Sequence, residues 1–371
     1  MALPPAWKIK RELLAANDQI KAFFLYFSGP FRRYFYNRRE LTSLQTHDGG
    51  RNLQGRLVLY LVFQPQGLLE SNFIAINYLI SQGHEVLLVS NGPLSDGDIK
   101  KLQPLCWRIL VRDNIGYDFG GYRCGVNYLK YNQICLETFT FINDSIWFPV
   151  IADSNILNQT EDIVTDFGGA VFMNDLKSTS GGLVLSYWVT IRKPLWEAEC
   201  FWDYWGKYIP TGNKTLTVKL GERGLSRQMH QAGRDVDGVF TTEKFLVAVQ
   251  AATKKQLELT LKYGSFTDPL FQEECMQLLD KIDSSDLWRN NCLKFIERVV
   301  QKRNFLHSFC YASIAILRVP FLKKNNLRLH FLMRQQYLRA VYSGDLPSPN
   351  PSILQEIEKG TDPSNYSAAF R

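Results

Sequence analysis

Asp113-Asn-Ile-Gly-Tyr-Asp-Phe-Gly-Gly-Tyr-Arg-Cys-Gly125, followed by Phe141-Ile-Asn-Asp-Ser145, pairs a glycine-rich turn with a strand that ends in an acid. Gly116, Gly120 and Gly121 come directly after an apolar run of strand length (residues 108–112) and before a helical stretch (residues 122–131). Glycines there permit close backbone approach, and the start of a helix offers free N–H groups to an anion. A glycine-rich turn with Tyr117 and Phe119 in the core, and Asp113 and Asp118 as helix caps, uses the same residues. The spacing is not that of the dinucleotide-binding fingerprint. In the second segment an apolar strand (residues 139–143) ends at Asn143 and Asp144. A carboxylate at a strand end can hold magnesium or manganese against a diphosphate leaving group. The alternative is an aspartate that caps its own turn.

Outward from this centre the chain alternates strands and helices. Residues 57–63, 85–90, 108–112 and 139–143 read as strands, and 68–82, 98–104 and 122–131 as helices. Further strands are expected at 166–173, 182–190 and 216–219, with helices at 193–208 and 222–232. Apolar strands separated by helices imply a largely parallel sheet buried on both faces. In such sheets ligands bind beyond the carboxyl ends of the strands. That rule draws in Gln64, after the first strand, and Asn91, after the second. Residues 46–55 read as a linker. Past residue 250 the strand signals fade, and 254–262, 269–282 and 287–300 read as helices.

The expected organisation is a basic amphipathic helical segment over 1–45, an α/β domain over 55–245, a helical basic region over 246–342 and a loose tail over 343–371. The tail is expected to be loose because residues 344–371 hold four prolines. The 371 residues are 45% hydrophobic and 21% charged, an ordinary globular composition. Seven cysteines without a CxxC pair argue against a disulfide framework or a zinc site and suit a reducing cytoplasm. The net charge of +7 is uneven: residues 1–39 carry +6 and residues 289–339 carry +10, leaving the remainder at −9.

The run Asn114-Ile-Gly-Tyr-Asp-Phe-Gly-Gly-Tyr-x-x-Gly125 with Phe141-Ile-Asn-Asp-Ser145 resembles the hallmark of the rhamnan synthesis protein F family, which acts in bacterial rhamnose-containing polysaccharide assembly. Looser family-like pieces are Asp166-Phe-Gly-Gly169, Leu185-Ser-Tyr-Trp188, Phe201-Trp202 and Gly221-Glu-Arg-Gly-Leu-Ser226. A more distant similarity is to inverting GT-A-fold glycosyltransferases. It is carried by Val89–Gly97, by Asn114–Gly120, by Asn143-Asp144-Ser145, and by the segments 192–205 and 222–233. This chain departs from that pattern in two places. It has one carboxylate at the metal motif, and Glu222-Arg223 stands where a Glu-Asp pair is usual.

The resemblance implies a GT-A-like mixed, mostly parallel sheet flanked by helices, with helical additions at both ends. It also implies single-displacement, inverting transfer from a nucleotide-sugar donor, with dTDP-L-rhamnose as the donor it points to, onto a lipid-linked polysaccharide. Asp144 would hold a magnesium or manganese ion. Gln64, Asn91, Asp113, Asn114, Gly116, Tyr117, Asp118, Gly120, Gly121 and Asn143 would shape the donor pocket. Glu222 is the expected base, with Asp203 as its rival, although a glutamate in a helix's first turn is also favoured by the dipole alone. His230 reads as a structural histidine. The basic flanks, with Phe305, Phe309, Tyr311, Ile314, Ile316, Leu317, Phe321 and Leu322, are expected to dock on anionic lipid. This places the protein in the cytoplasm, peripheral on the inner face of the plasma membrane. The alternative is packing of that apolar face on the α/β domain. No nucleic-acid motif accompanies the charge. A non-catalytic glycan-binding or scaffold protein is the rival function.

Overall fold

Strands with almost every position buried can be sheltered only by layers on both faces, and the computed structural model has that arrangement. It describes residues 28–29, 31–40, 42–174, 181–282 and 285–362; the helix expected over residues 6–27 lies outside them. The strands are β1 (Gln45–Asp48), β2 (Arg56–Val62), β3 (Glu85–Ser90), β4 (Arg108–Val111), β5 (Thr138–Asn143), β6 (Ile146–Trp147), β7 (Phe167–Met173), β8 (Leu183–Val184), β9 (Trp188–Arg192), β10 (Val236–Phe240) and β11 (Leu322–Lys323). The main sheet runs β1-β4-β3-β2-β5-β9-β7-β10, with β8 beside β7. Strands β4, β3, β2 and β5 are parallel, as are β7 and β10, while β1, β8 and β9 run antiparallel to their neighbours. The fold class is therefore α/β with a mixed, mostly parallel sheet flanked by helices.

The side-chain alternation of β2 shows how the layers form. Val58, Tyr60 and Val62 face helix α1 (Glu70–Ser81), whose Ala75, Ile76 and Leu79 join them in one core. Leu57, Leu59 and Leu61 face the other way, toward Tyr122, Val126 and Leu129 of helix α2 (Tyr117–Tyr131) and Phe201 and Trp205 of helix α3 (Glu199–Lys207). Glycines let α2 lie close to the sheet. A Cβ on Gly121 would stand 2.3 Å from Leu61 Cδ1, and one on Gly125 would stand 2.2 Å from Leu59 Cδ1.

Several expectations are corrected. The expected linker, residues 46–55, opens inside an edge strand, Gln45–Asp48, paired with β4. Residues 216–219 are helical: one helix, α4, runs from Lys214 to Gln231, with a π-helical stretch Val218–Glu222 in its middle. The apolar residues were spaced for either element, and packing chose the helix. The tail is not loose throughout, because Pro351–Gly360 forms helix α5 with Ile353 and Ile357 buried. Asn350 caps that helix and Pro351 opens it, a position where a proline costs no hydrogen bond.

The C-terminal helices pack into the same core as the sheet. Phe295, Ile296 and Val299 of Asp286–Lys302 join the cluster that contains β2 and α1. Phe305, Phe309, Tyr311, Ile314, Phe321 and Leu322, expected to enter a lipid interface, are all buried. Ile316 and Leu317 pack against the same core. These side chains are spent on the protein interior, and the apolar half of the C-terminal docking expectation is overturned. Among the described residues no helix is long and apolar enough to cross a membrane.

At the amino edge of the sheet, Glu161 ties three strands together. It accepts hydrogen bonds from Arg56 at the start of β2, His84 just before β3 (2.7 Å) and Thr138 at the start of β5 (2.6 Å). Burial pushes the Glu161 carboxyl up, but the hydrogen bonds from His84, Arg56 and Thr138 outweigh it and hold it at about 2, from an ordinary 4.5. The unfolded chain then binds the extra proton first as acid is added. The stabilisation is full above about pH 5 and is lost as pH falls through about 2, amounting to about 3 kcal/mol. Urea midpoints measured from pH 6 down to pH 2.5 should show this slope in the wild type and a flatter one in Glu161→Gln. Equal slopes would show that Glu161 does not carry the effect.

Candidate active site at the carboxyl edge of the sheet

All four central parallel strands end at the same edge, and the chemistry-bearing residues gather there. Strand β5 delivers Asn143 and then Asp144. Asp144 Oδ2 accepts from the Phe63 amide (3.0 Å) and from Gln64 Nε2 (2.7 Å), so the residues just after β2 and β5 are cross-linked. Asn143 Nδ2 donates to Asp118 Oδ2 (3.1 Å), and its Oδ1 accepts from the Ser145 amide and hydroxyl. Asp118 lies in the first turn of α2, where the helix dipole favours an acid. Two successive residues at positive φ, Gly116 (86°) and Tyr117 (52°), turn the chain into that helix. Left-handed backbone is uncommon for a tyrosine; its hydroxyl anchors on the Gly212 carbonyl at 3.0 Å.

Glu222, the last residue of the π-helical stretch, reaches the same edge. Its Oε1 accepts from the Ser186 amide at 2.8 Å. Such stretches recur at functional sites because they re-aim a side chain within a helix. Burial raises the Asp118 carboxyl to about 6, with Asp144 and Glu222 pushing it further up and Lys323 and Lys214 pulling it down. Burial also raises Asp144, against hydrogen bonds from Phe63 and Gln64 and the charge of Lys324.

Two members of this cluster were not foreseen. Strand β11 pairs antiparallel with β6, setting Lys323 opposite Ile146. Lys323 Nζ donates to Ser145 Oγ (3.0 Å) and sits 3.6 Å from the Tyr187 ring centroid. Lys324 Nζ donates to Ser71 Oγ (3.2 Å) and lies 4.0 Å from Glu356. Burial lowers Lys323 to about 8, against the attraction of Glu222 and Asp118. Lys324 is lowered too, by burial, with Asp144 and Glu356 opposing. The only sequence signal was a lysine pair closing a short apolar run, Val319–Leu322, far from the acids it meets.

Other expected pocket residues have structural work. Buried Asn91 donates to the Tyr117 carbonyl (3.0 Å) and accepts from Arg112, bracing the glycine turn. A Cβ on Gly120 would meet the Ile115 carbonyl at 2.0 Å, so Gly120, like Gly121, serves close packing. Asp113 is exposed and paired with Arg39, and Asn114 is exposed. Asp203 lies on the outer face of α3, paired with Lys207 at 2.8 Å, while Phe201, Tyr204 and Trp205 turn inward. His230 bonds the Gly182 carbonyl at 2.9 Å.

A resident divalent cation is a hard ion that takes about six oxygen ligands. Asp144 is the one carboxylate at the strand end, and the charge of Lys324 already acts on it. Among the described residues no three or more His, Cys, Asp or Glu side chains are grouped to hold a metal. The donor set fits such an ion poorly.

With this geometry in place, the chain can be set beside known proteins. Residues 86–253 match the model of the Rhamnan synthesis protein F family. The matched residues run from β3 through β10 and so include Asp118, Asn143, Asp144 and Glu222, but neither lysine. Uncharacterized protein y4gN of Sinorhizobium fredii is 29% identical over 256 residues, 69% of this chain and 67% of its own. Among solved structures, the mannosyltransferase PcManGT from Pyrobaculum calidifontis, in complex with GDP-Man and Mn2+, aligns at 10% identity and a TM-score of 0.30, covering 94% of this chain and 91% of that one. A nucleoside-diphosphate-sugar pyrophosphorylase from Vibrio cholerae aligns at 9% identity and a TM-score of 0.30, covering 50% and 93%.

Proposed function

We propose that this protein is a glycosyltransferase that uses a nucleotide-sugar donor. One observation carries the reading. A carboxyl-edge cluster places Asp118 beside Asn143, Asp144 next in the chain, and Glu222 on a π-helical turn near them, all within the segment that matches the family model, while Gln64 reaches Asp144 from outside that segment. The N-terminus of α2 has no side-chain cap, so its first N–H groups add to the pull on a donor's phosphates. Glu222 acts as base: its carboxylate takes the acceptor hydroxyl's proton as that oxygen bonds to the anomeric carbon. The bond from that carbon to the diphosphate oxygen breaks, and the nucleoside diphosphate leaves with the electron pair. This single displacement inverts the anomeric centre. The family similarity supports a rhamnosyl donor such as dTDP-L-rhamnose and a lipid-linked polysaccharide acceptor.

Approach to an anionic membrane falls to the N-terminal flank. Residues 31–40 are helical, with Phe31, Tyr34 and Phe35 exposed beside Arg32, Arg38 and Arg39. This suits a peripheral position on the cytoplasmic face of the membrane.

Melting curves recorded with dTDP-L-rhamnose, GDP-mannose and UDP-glucose test the reading. A donor present at about 100 times its Kd stabilises by about 2.7 kcal/mol, a rise of several degrees, whereas the other nucleotide sugars should give less. If no nucleotide sugar moves the curve and no sugar is transferred, the protein is a glycan-binding or scaffold component instead.

A further inference from the structure

Lys323 and Lys324 are placed with more care than a surface lysine pair needs. Their strand is short, yet it is fastened along its length. Beyond the β6–β11 pairing, the Lys324 amide donates to the Ser145 carbonyl at 2.9 Å, and Arg334 donates to the Lys323 and Asn325 carbonyls at 3.2 and 2.7 Å. Arg334 is itself fully buried. The segment is thus bound to the residue that follows Asp144, and both lysines are held partly buried at the carboxyl edge.

Placing two ammonium groups there is costly unless their charge is answered. Each has three N–H donors. Lys323 spends one on Ser145 and stands over the Tyr187 ring; among the described residues it forms no ion pair within 4.0 Å. Lys324 spends one on Ser71, and its ion pair with Glu356 is at the 4.0 Å limit. Glu356 is itself occupied by the Ser71 amide, the Ser71 hydroxyl and Trp147 Nε1. The nearby acids attract the lysines from a distance without saturating them. Lys323 stands 3.0 Å from the hydroxyl of Ser145, next to Asp144, and the Lys324 amide is bonded to the Ser145 carbonyl; two cations with unspent donors there make a receptor for an anion of high charge. A lone divalent ion would have to displace them.

We propose that Lys323 and Lys324 are the counter-charge for a ligand's diphosphate, in the place a divalent cation would take, so that this protein binds its diphosphate ligand without metal. The assignment rests on the nucleotide-sugar reading above, and it adds a second ligand-binding element from outside the family segment. A lysine here neutralises phosphate as a point charge, without the directional fork of an arginine.

The test is calorimetric titration of the full chain with dTDP, UDP, GDP, inorganic pyrophosphate and farnesyl diphosphate, each in EDTA and again with manganese. The expected result is nucleoside diphosphate binding in EDTA that manganese changes less than twofold. Lys323→Met and Lys324→Met should each weaken it at least tenfold, and pyrophosphate binding should fall in parallel. Wild-type binding that appears only with manganese overturns the proposal and leaves the glycosyltransferase reading standing. That measurement needs no variant, so it holds even if a lysine substitution unfolds the chain. Folded lysine variants with unchanged affinity also overturn it. Binding of farnesyl diphosphate without any nucleoside diphosphate keeps the lysine site but moves it to a lipid carrier, and the donor reading then falls. No binding of any diphosphate sinks both.

Discussion

Exchanging Glu222 for glutamine is expected to lower the turnover of sugar transfer by roughly 10²–10⁴-fold, the range a positioned general base contributes. The substitution keeps the shape. The amide oxygen can still accept from the Ser186 amide, now bonded to Glu222 Oε1 at 2.8 Å, so the π-helical stretch keeps its anchor. What is lost is the negative charge that, in the proposed role, would receive the acceptor's proton. The donor's KM should therefore change little while kcat collapses, the pattern of an interaction made in the transition state. Asp203→Asn is the matched comparison. Its carboxylate sits in an exposed pair with Lys207, one turn along the same helix, and such pairs contribute about 0.3–0.5 kcal/mol. Transfer by this variant should stay within about twofold of wild type on that energy. Steady-state kinetics with the donor identified by melting decides the matter. A Glu222→Gln protein that turns over at near wild-type rate removes Glu222 as the base, and a collapse in Asp203→Asn would put the rival in its place.

Replacing Arg334 by leucine should cost about 3–5 kcal/mol of stability, as for a buried charged group whose partners are left behind. Arg334 is fully buried and its guanidinium serves three carbonyls: Lys323 and Asn325 on either side of the β11 turn, and Gly360 at the end of α5. It also lies 5.7 Å from the Trp147 ring centroid. Leucine fills much of the volume but leaves three carbonyls without donors, each costing about 1–3 kcal/mol unless water reaches it. Lysine should recover only part of the loss, because one ammonium on a flexible stem cannot span what a planar fork spans. Urea unfolding of the three proteins checks this, and a difference below about 1 kcal/mol between wild type and leucine would contradict it. Because Arg334 holds the Lys323 segment, diphosphate binding should weaken in the same variants even below their unfolding midpoints.

Both predictions depend on residues whose legibility in the sequence differed sharply. Glu222 could be singled out because it lies inside a family-like run, Gly221-Glu-Arg-Gly-Leu-Ser226, though its position on a π-helical turn could not be read. Arg334 reads as one charge in a basic amphipathic stretch, and nothing local distinguishes it from Arg328 or Arg339. Burial does, and burial is a property of the neighbours. For the same reason the sequence of Phe305, Phe309 and Phe321 suits a lipid interface as well as a protein core. An apolar face needs cover, but its sequence does not say whether lipid or protein supplies it.

The amino-acid sequence settles the parallel centre of the sheet, because β2, β3 and β4 are mostly apolar, β5 carries Phe139, Phe141 and Ile142, and helix-length segments separate them. It also determined that Asp144 stands at a strand end and that the Gly116 turn leads into a helix, since period, length and glycine placement are local properties. Tertiary structure alone decided which side chains meet at that edge. It gave Asn91, Gly120 and Gly121 to bracing and packing, and set Asp203 on the surface. It also made a helix of residues 214–231 and brought Lys323 and Lys324 across some 180 residues of chain to Ser145. The physical reason is one of range. Local patterns select elements, whereas a site at the meeting of several elements is fixed by which faces can be buried together, and that is settled only when the whole core closes.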